Sequence, residues 1–204
     1  MTAFPDTIVF DLGRVLVDFD YSISSRRIAE QSNIPHQKVR DLIDHSPLLF
    51  DYETGTVSTR DFYQAVRKHT GFDDSLENFS LLFADIFTPI PDMVALHRRI
   101  RHAGFPTFIL SNTNEIAVRH IRGNFPFFAE FDGHVLSYEH GSMKPDPHLY
   151  QVTEQLTGRT GSQLLFLDDR TENVDAARQR GWHAIHHTSH ETTVAHLKTL
   201  NVIE

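Results

Sequence analysis

A chain of 204 residues with 40% apolar and 23% charged residues can bury a core of its own, which excludes the disordered class. Its 19 basic and 27 acidic residues give a formal charge of -8. That surface repels phosphate backbones, so no nucleic-acid partner is expected, and a phosphorylated ligand would need a local positive site. The absence of cysteine excludes disulfides, thiolate nucleophiles and sulfur-ligated zinc.

Met1 to Asp6 runs into an apolar strand without a basic region and a long apolar core, so no secretory leader is expected. No apolar run approaches the roughly 20 residues of a membrane span. The expectation is a cytoplasmic protein with no membrane partner, in which the Asn78-Phe79-Ser80 sequon is a chance match. Oligomeric state is not legible in one sequence.

Thr7 to Phe10 reads as a first strand, ending at Asp11. The long stretch before the next strand cannot be a simple crossover, and its patterns are helical. Ser58-Thr59-Arg60-Asp61 resembles a capping box, with Asp in the Glu position, ahead of Phe62, Ala65 and Val66. Leu76, Phe79, Leu82, Phe83 and Ile86 form an apolar stripe that reads as packing. The spacing predicts a helical insert over 20–85, with 1–19 and 86–204 forming an α/β core. Met93, Val94, Leu96 and Ile100 give the next helix, with Asp92 as N-cap. Thr107 to Leu110 is a strand ending at Ser111, and His134 to Leu136 is a weaker one. His148 to Leu156 is a helix that follows Pro147. Leu164 to Leu167 is a strand ending at Asp168-Asp169, Asn173 to Arg180 a helix stopped by Gly181, and Trp182 to Ile185 the last strand. Strands alternating with helices imply right-handed crossovers and a parallel sheet.

Three of these strands end in polar groups: Asp11, Ser111 and Asp168-Asp169. Ligands of open α/β sheets bind beyond the carboxyl ends of the strands, so these residues would converge there. A lone Asp at a strand end reads as a turn or a cap, and a lone Lys144 as a surface lysine. The ordered set is far more specific. Phe10-Asp11-Leu12-Gly13-Arg14-Val15 comes first, then Ser111-Asn112-Thr113-Asn114. Gly141-Ser142-Met143-Lys144-Pro145 follows, and Phe166-Leu167-Asp168-Asp169-Arg170-Thr171-Glu172-Asn173 is last.

In that order the motifs resemble the haloacid dehalogenase (HAD) superfamily, over the whole chain. The sequence is similar to sugar-1-phosphate phosphatases of that superfamily and to the phosphatase domain of soluble epoxide hydrolase. The resemblance implies a Rossmann-like core with a central parallel sheet, and an all-helical C1-type cap at the position of the insert. It implies that Asp11 is the nucleophile that forms an aspartyl-phosphate. It further implies Mg²⁺ held by the carboxylates of Asp11 and Asp169 and the Gly13 carbonyl, with Asp168 beside the ion or linked to it through water. Lys144 would neutralise the nucleophile and the transferring group. The Ser111 hydroxyl and the Asn112 main-chain N–H would hold phosphoryl oxygens. Taken alone, Ser111-Asn112-Thr113-Asn114 reads as a helix cap, a role still open to Asn114.

Two positions depart from the family. Gly13 stands where most family phosphatases carry a second Asp, which protonates the leaving alcohol; loss of such a group typically costs about 10²–10⁴ in rate. A substrate with a good leaving group, such as a sugar 1-phosphate, needs less protonation, and the similar sugar-1-phosphatases also carry glycine. Otherwise Asp18, Asp20 or a cap residue replaces the acid, or the protein is a catalytically weak or silent binding module. Asp18 and Asp20 also read as hinge or helix-cap residues. Arg14 is the second departure: it would contact a substrate phosphate or sugar hydroxyl, or pair with Asp18 or Asp20. His183, His186, His187 and His190 read as a solvated edge, with neighbours on opposite faces. The function expected is a Mg²⁺-dependent phosphohydrolase acting on a small phosphorylated metabolite. A metal-free dehalogenase leaves Asp169 without a purpose, and a phosphomutase lacks the acid it relies on.

Overall fold

The computed structural model describes residues 4–44 and 46–204. Met1 to Ala3, where no secretory leader is expected, and residue 45 of the helical insert lie outside the described residues. The strands are β1 (Thr7–Phe10), β2 (Val17–Phe19), β3 (Phe87–Pro89), β4 (Thr107–Ser111), β5 (Gly133–Leu136), β6 (Leu164–Asp168) and β7 (His183–His186). The first five helices are α1 (Tyr21–Glu30), α2 (His36–Ile43), α3 (Pro47–Glu53), α4 (Thr59–Thr70) and α5 (Leu76–Ala84). After β3 come α6 (Pro91–His102), α7 (Glu115–Asn124), α8 (Ser137–His140), α9 (Pro147–Thr157), α10 (Thr171–Gln179) and α11 (His190–Thr199). Among the described residues, no helix is long and apolar enough to cross a membrane.

Five parallel strands form the central sheet in the order β5-β4-β1-β6-β7. Alternate residues of β1 face opposite sides: Ile8 and Phe10 join the core under α6, α7 and α11, whereas Val9 joins the core under α9 and α10. Both faces are therefore covered, and the strands read as continuous apolar runs. The chain leaves β1 toward β4 on one side and returns to β6 on the other. The strand order reverses at β1, which puts its carboxyl end at the crevice such sheets use for ligands.

The helices α1 to α5 bury a separate cluster built on Ile28, Val39, Leu49, Tyr52, Phe62, Phe79 and Phe83. Tyr52 stacks on Phe62 with ring centroids 4.5 Å apart. An antiparallel ribbon of β2 and β3, pairing Phe19 with Phe87, marks where the chain leaves and re-enters the α/β core. Side chains also tie the two parts together. The main-chain N–H of Ile116 donates to the Tyr52 hydroxyl at 3.1 Å. The Ser137 hydroxyl donates to the carbonyl of Glu53 at 2.6 Å and accepts from the N–H of Thr113 at 2.8 Å. Gly55, in the left-handed region, approaches so closely that a Cβ there would lie 2.0 Å from the Tyr138 carbonyl oxygen.

Several boundaries differ from the sequence reading. The helix expected to start after Asp92 is capped by Ile90 instead, because Pro91, with φ fixed and no N–H to satisfy, suits the first helical position; Asp92 lies inside the first turn. Ser58 caps α4 as expected, but Asp61 accepts from the Ser58 hydroxyl at 2.6 Å rather than from its main chain, since aspartate is one methylene shorter than the usual glutamate. The ribbon of β2 and β3 is not among the expected elements, and of α7 the sequence marks only the cap, Asn114.

Replacing Ser137 by Ala would strand the Thr113 N–H and the Glu53 carbonyl, each costing about 1–3 kcal/mol when buried and unpaired. The expected loss of unfolding free energy in urea is about 2–3 kcal/mol. A loss below about 0.5 kcal/mol would mean that the hydroxyl does not tie the two parts together.

Candidate active site

Asp11 follows β1 and is kept in register by its N–H, which donates to the Leu167 carbonyl at 2.8 Å. Asp168 is the last residue of β6 and Ser111 the last of β4, so the neighbouring strands carry their polar ends to the same edge. Lys144 arrives from the loop before α9. Asn112 holds it there by donating to the Lys144 carbonyl at 3.0 Å and accepting from its N–H at 2.7 Å. The Lys144–Pro145 bond is cis.

The Lys144 ammonium lies 2.9 Å from Asp11 Oδ1 and 2.7 Å from Asp168 Oδ2, and donates to the Leu110 carbonyl at 2.9 Å. It is 5% exposed, so a lysine that would cover surface elsewhere here carries a charge out of water. Burial opposes that charge, but Asp11 and Asp168 outweigh it and hold the ammonium above the ordinary lysine value. Asp168 also accepts from the N–H of Arg170 at 2.8 Å and from the Asn173 amide at 3.0 and 3.1 Å.

Asp11 is less well served. The Leu12 N–H and Lys144 both meet its Oδ1. Burial pushes its carboxyl up to about 7, against the pull of Lys144 and with the help of Asp168 and Asp169. Asp169 is half-buried, and burial and Asp168 push it up as well. Ligand oxygens of Asp11, Asp168 and Asp169 lie within 4.8 Å of one another. Three carboxylates against one ammonium leave an excess of two negative charges when all are ionised. An all-oxygen set with that excess suits a hard divalent cation.

A cleft of about 440 Å³ opens over this cluster, lined by Asp11, Gly13, Asn112, Lys144 and Asp169 from the core and by Tyr21, Leu49 and Glu53 from the helical insert.

A family model for haloacid dehalogenase-like hydrolases matches residues 5–181. The chain belongs to the haloacid dehalogenase-like hydrolase family. Acyl-CoA dehydrogenase family member 10 of Mus musculus is 32% identical over 127 residues; the match covers 60% of this chain and 11% of that protein. A sesquiterpene phosphatase of Aspergillus oryzae is 23% identical over 197 residues, 94% of each chain. An (S)-2-haloacid dehalogenase of Pseudomonas putida is 25% identical over 185 residues, covering 86% of this chain and 82% of that one. A HAD family enzyme of Bacteroides thetaiotaomicron, solved with magnesium and inorganic phosphate, superposes with a TM-score of 0.79 at 21% identity, covering 89% of this chain and 93% of that one.

Within this HAD fold the remaining residues singled out from sequence find definite places. Ser111 is buried and lines a smaller cavity of about 50 Å³, shared with Gly13, Asn112 and Glu53, rather than the main cleft. Asn114 caps α7 by accepting from the Ala117 N–H at 3.0 Å. Of the two roles open to Arg14, ion pairing is the one seen: its guanidinium pairs with Asp18 and sits 4.6 Å from the centroid of the Phe19 ring. Asp20 caps α1, and its hydrogen bonds from Ser22 hold its carboxyl below the usual range. The histidine run is not one solvated edge. His187 is buried and its Nδ1 lies 2.7 Å from the Thr193 hydroxyl, whereas exposed His186 reaches the carbonyl of Asp169 at 2.8 Å.

The sequence reading missed Glu53. It is the last residue of α3, half-buried on the cleft wall, and desolvation pushes its carboxyl up to about 7 while the charge of Arg170 pulls the other way. No spacing marks it, because only the docking of the insert brings it to the cleft.

A raised carboxyl pKa lowers stability as pH increases. The folded state holds the Glu53 proton between its unfolded value of 4.5 and its folded value of about 7, and the unfolded chain does not. Glu53→Gln is therefore expected to match the parent stability below pH 4.5, and to exceed it by an amount that grows to at most about 3 kcal/mol by pH 7. Denaturant unfolding of both proteins across that range measures the difference. A pH-independent difference would show that Glu53 is not held protonated by the fold.

Proposed function

We propose that the chain is a phosphomonoester hydrolase that works through an aspartyl-phosphate on Asp11, with Mg²⁺ as its cofactor. The observation that carries this reading is the buried Lys144 ammonium set between Asp11 and Asp168, with Asp169 completing an oxygen cluster. Asp11, Asp169 and the Gly13 carbonyl would hold the ion, with Asp168 beside it. Bound there, the cation would offset the repulsion between the Asp11 carboxylate and an incoming phosphate.

The chain's own residues supply the rest. Because Leu12 N–H and Lys144 both engage Oδ1, Oδ2 of Asp11 is the oxygen left to attack phosphorus. Attack forms the Asp11–phosphorus bond as the bond to the leaving oxygen breaks, and water later displaces phosphate from Asp11. Lys144 holds charge in place without having to move, since both carboxylates and the Leu110 carbonyl fix it. The Ser111 hydroxyl and the Asn112 N–H are the phosphoryl-oxygen donors of this reading, and Arg14 at the cleft rim is a substrate contact if its pair with Asp18 opens.

Residues 20–85 act in this reading as a cap that excludes bulk water and meets the leaving group. A cleft of about 440 Å³ suits a small metabolite, of which a sugar 1-phosphate is the leading candidate because its leaving group needs little protonation. The sesquiterpene phosphatase and the magnesium- and phosphate-bound HAD structure support the phosphatase assignment. The dehalogenase relative keeps carbon attack as the rival outcome.

Turnover of an activated aryl phosphate is expected with Mg²⁺ and not with a chelator, and Asp11→Asn is expected to lower it by at least about 10³-fold. Metal-independent turnover, or an active Asp11→Asn protein, would overturn the reading. Halide release from a 2-haloacid without metal would replace it with the dehalogenase. A panel of phosphorylated metabolites that includes sugar 1-phosphates then ranks substrates by kcat/KM.

A further inference from the structure

Gly13 leaves the nucleophile's own loop without a proton donor, and the space beside it is taken. A Cβ at Gly13 would lie 3.0 Å from Cε1 of Phe19, so a side chain there would require the ring to shift by a few tenths of an ångström. For a leaving oxygen that needs a proton, the donor would be another side chain of the cleft. Asp18 is engaged by Arg14, and Asp20 is spent as the cap of α1. Among the other titratable groups on the wall, Asp11, Lys144 and Asp169 form the phosphoryl and cation side. The guanidinium groups of Arg14 and Arg170 suit anion binding rather than proton donation. Burial raises the Tyr21 phenol well above its ordinary value, which makes it a weak acid. That leaves Glu53.

We infer that Glu53 is the catalytic residue that protonates the leaving oxygen, from a carboxyl that helix α3 of the insert places on a wall shared with Gly13. The inference rests on the phosphatase reading and adds to it the group missing from the first motif.

Three structural observations carry it. Glu53 lines both the main cleft and the smaller cavity beside it, and Gly13 and Asn112 line both as well. Its main chain is fixed to the core: the Ser137 hydroxyl donates to its carbonyl at 2.6 Å, and Gly55 abuts the Tyr138 carbonyl two residues on. Among the described residues no hydrogen bond or ion pair engages its carboxylate, and Arg170 acts on it only through its charge. The desolvation that lifts its pKa to about 7 adds that it can both give and take a proton near neutrality, the condition under which a general acid and base is most effective.

The step balances. As Asp11 Oδ2 bonds to phosphorus, the electron pair of the breaking phosphorus–oxygen bond goes to the leaving oxygen, which takes the Glu53 proton and departs as the alcohol. Glu53 is then a carboxylate. It accepts a proton from the water that attacks the phospho-Asp11, the Asp11–phosphorus bond breaks, and phosphate leaves with Asp11 ionised and Glu53 protonated again.

Glu53→Gln keeps the shape and removes the transferable proton. On an alkyl monophosphate, whose leaving oxygen needs a proton, kcat/KM is expected to fall by about 10²-fold or more. On a nitrophenyl phosphate, whose leaving oxygen does not, the loss is expected to be at least about tenfold smaller, and the dependence of rate on leaving-group pKa steepens. Equal losses on both substrates would mean that Glu53 only positions the substrate, and no loss on the alkyl ester would remove it from the reaction; either result overturns the inference and leaves the phosphatase reading standing. Absence of turnover by the unsubstituted protein on any phosphate ester would sink that reading, and the inference with it.

Discussion

A buried ammonium facing two carboxylates is the interaction on which the active site depends. Lys144 is removed from water, and such a charge is tolerated only where its partners are close and fixed. Asp168 meets that need most fully, because Arg170 N–H and the Asn173 amide hold it as well as Lys144 does. Asp11 receives less, and its carboxyl rises toward neutrality. The inequality is chemically useful. The better-satisfied carboxylate anchors the lysine, and the poorly satisfied one remains available to react or to bind a cation. Asn112 makes the arrangement durable by gripping the main chain of Lys144 on both sides.

That cluster exists only because the sheet reverses its order at β1. Asp11 comes from the central strand, Asp168 from the strand on one side, and Ser111 from the strand on the other. The register that pairs Phe10 with both Ile109 and Leu167 sets Asp11 level with Asp168 and carries Ser111 one residue further along the same edge. A shift of one residue in either pairing would turn a polar end into the core, at the cost of the alternation that buries Ile8 and Phe10 on one face and Val9 on the other.

These features were legible in the sequence to the extent that they are periodic or local. The apolar runs from Thr7, Thr107 and Leu164 became strands, and β4 and β6 extended by one residue, so that Ser111 and Asp168 are strand residues rather than loop residues. Asn114 and Asp20 were readable as caps because capping is decided within a turn. Asp92 misled because Pro91 carries a stronger start signal than an acidic side chain. His186 could not be placed, since its partner is a carbonyl 17 residues earlier that only the pairing of β6 and β7 brings near. Glu53 was invisible for the same reason on a larger scale: its neighbours come from the other end of a tertiary contact.

Phe19 and, on the proposed reading, Glu53 together account for a glycine at position 13 beside this cluster. The ring of Phe19 occupies the direction in which a side chain at position 13 would point, and it is held there by Phe87 across the ribbon and by the guanidinium of Arg14. A donor on the nucleophile's loop would be present whatever the insert did. A donor on α3 is present only while the insert is docked, through Ser137 and Gly55, against the core. With Glu53 as the proposed acid, leaving-group departure would require the insert to be docked over the cleft. Water admitted by an undocked insert would meet a phosphoryl group whose leaving oxygen has no acid beside it, and the fold would thereby restrict the first chemical step to substrates that the insert has enclosed.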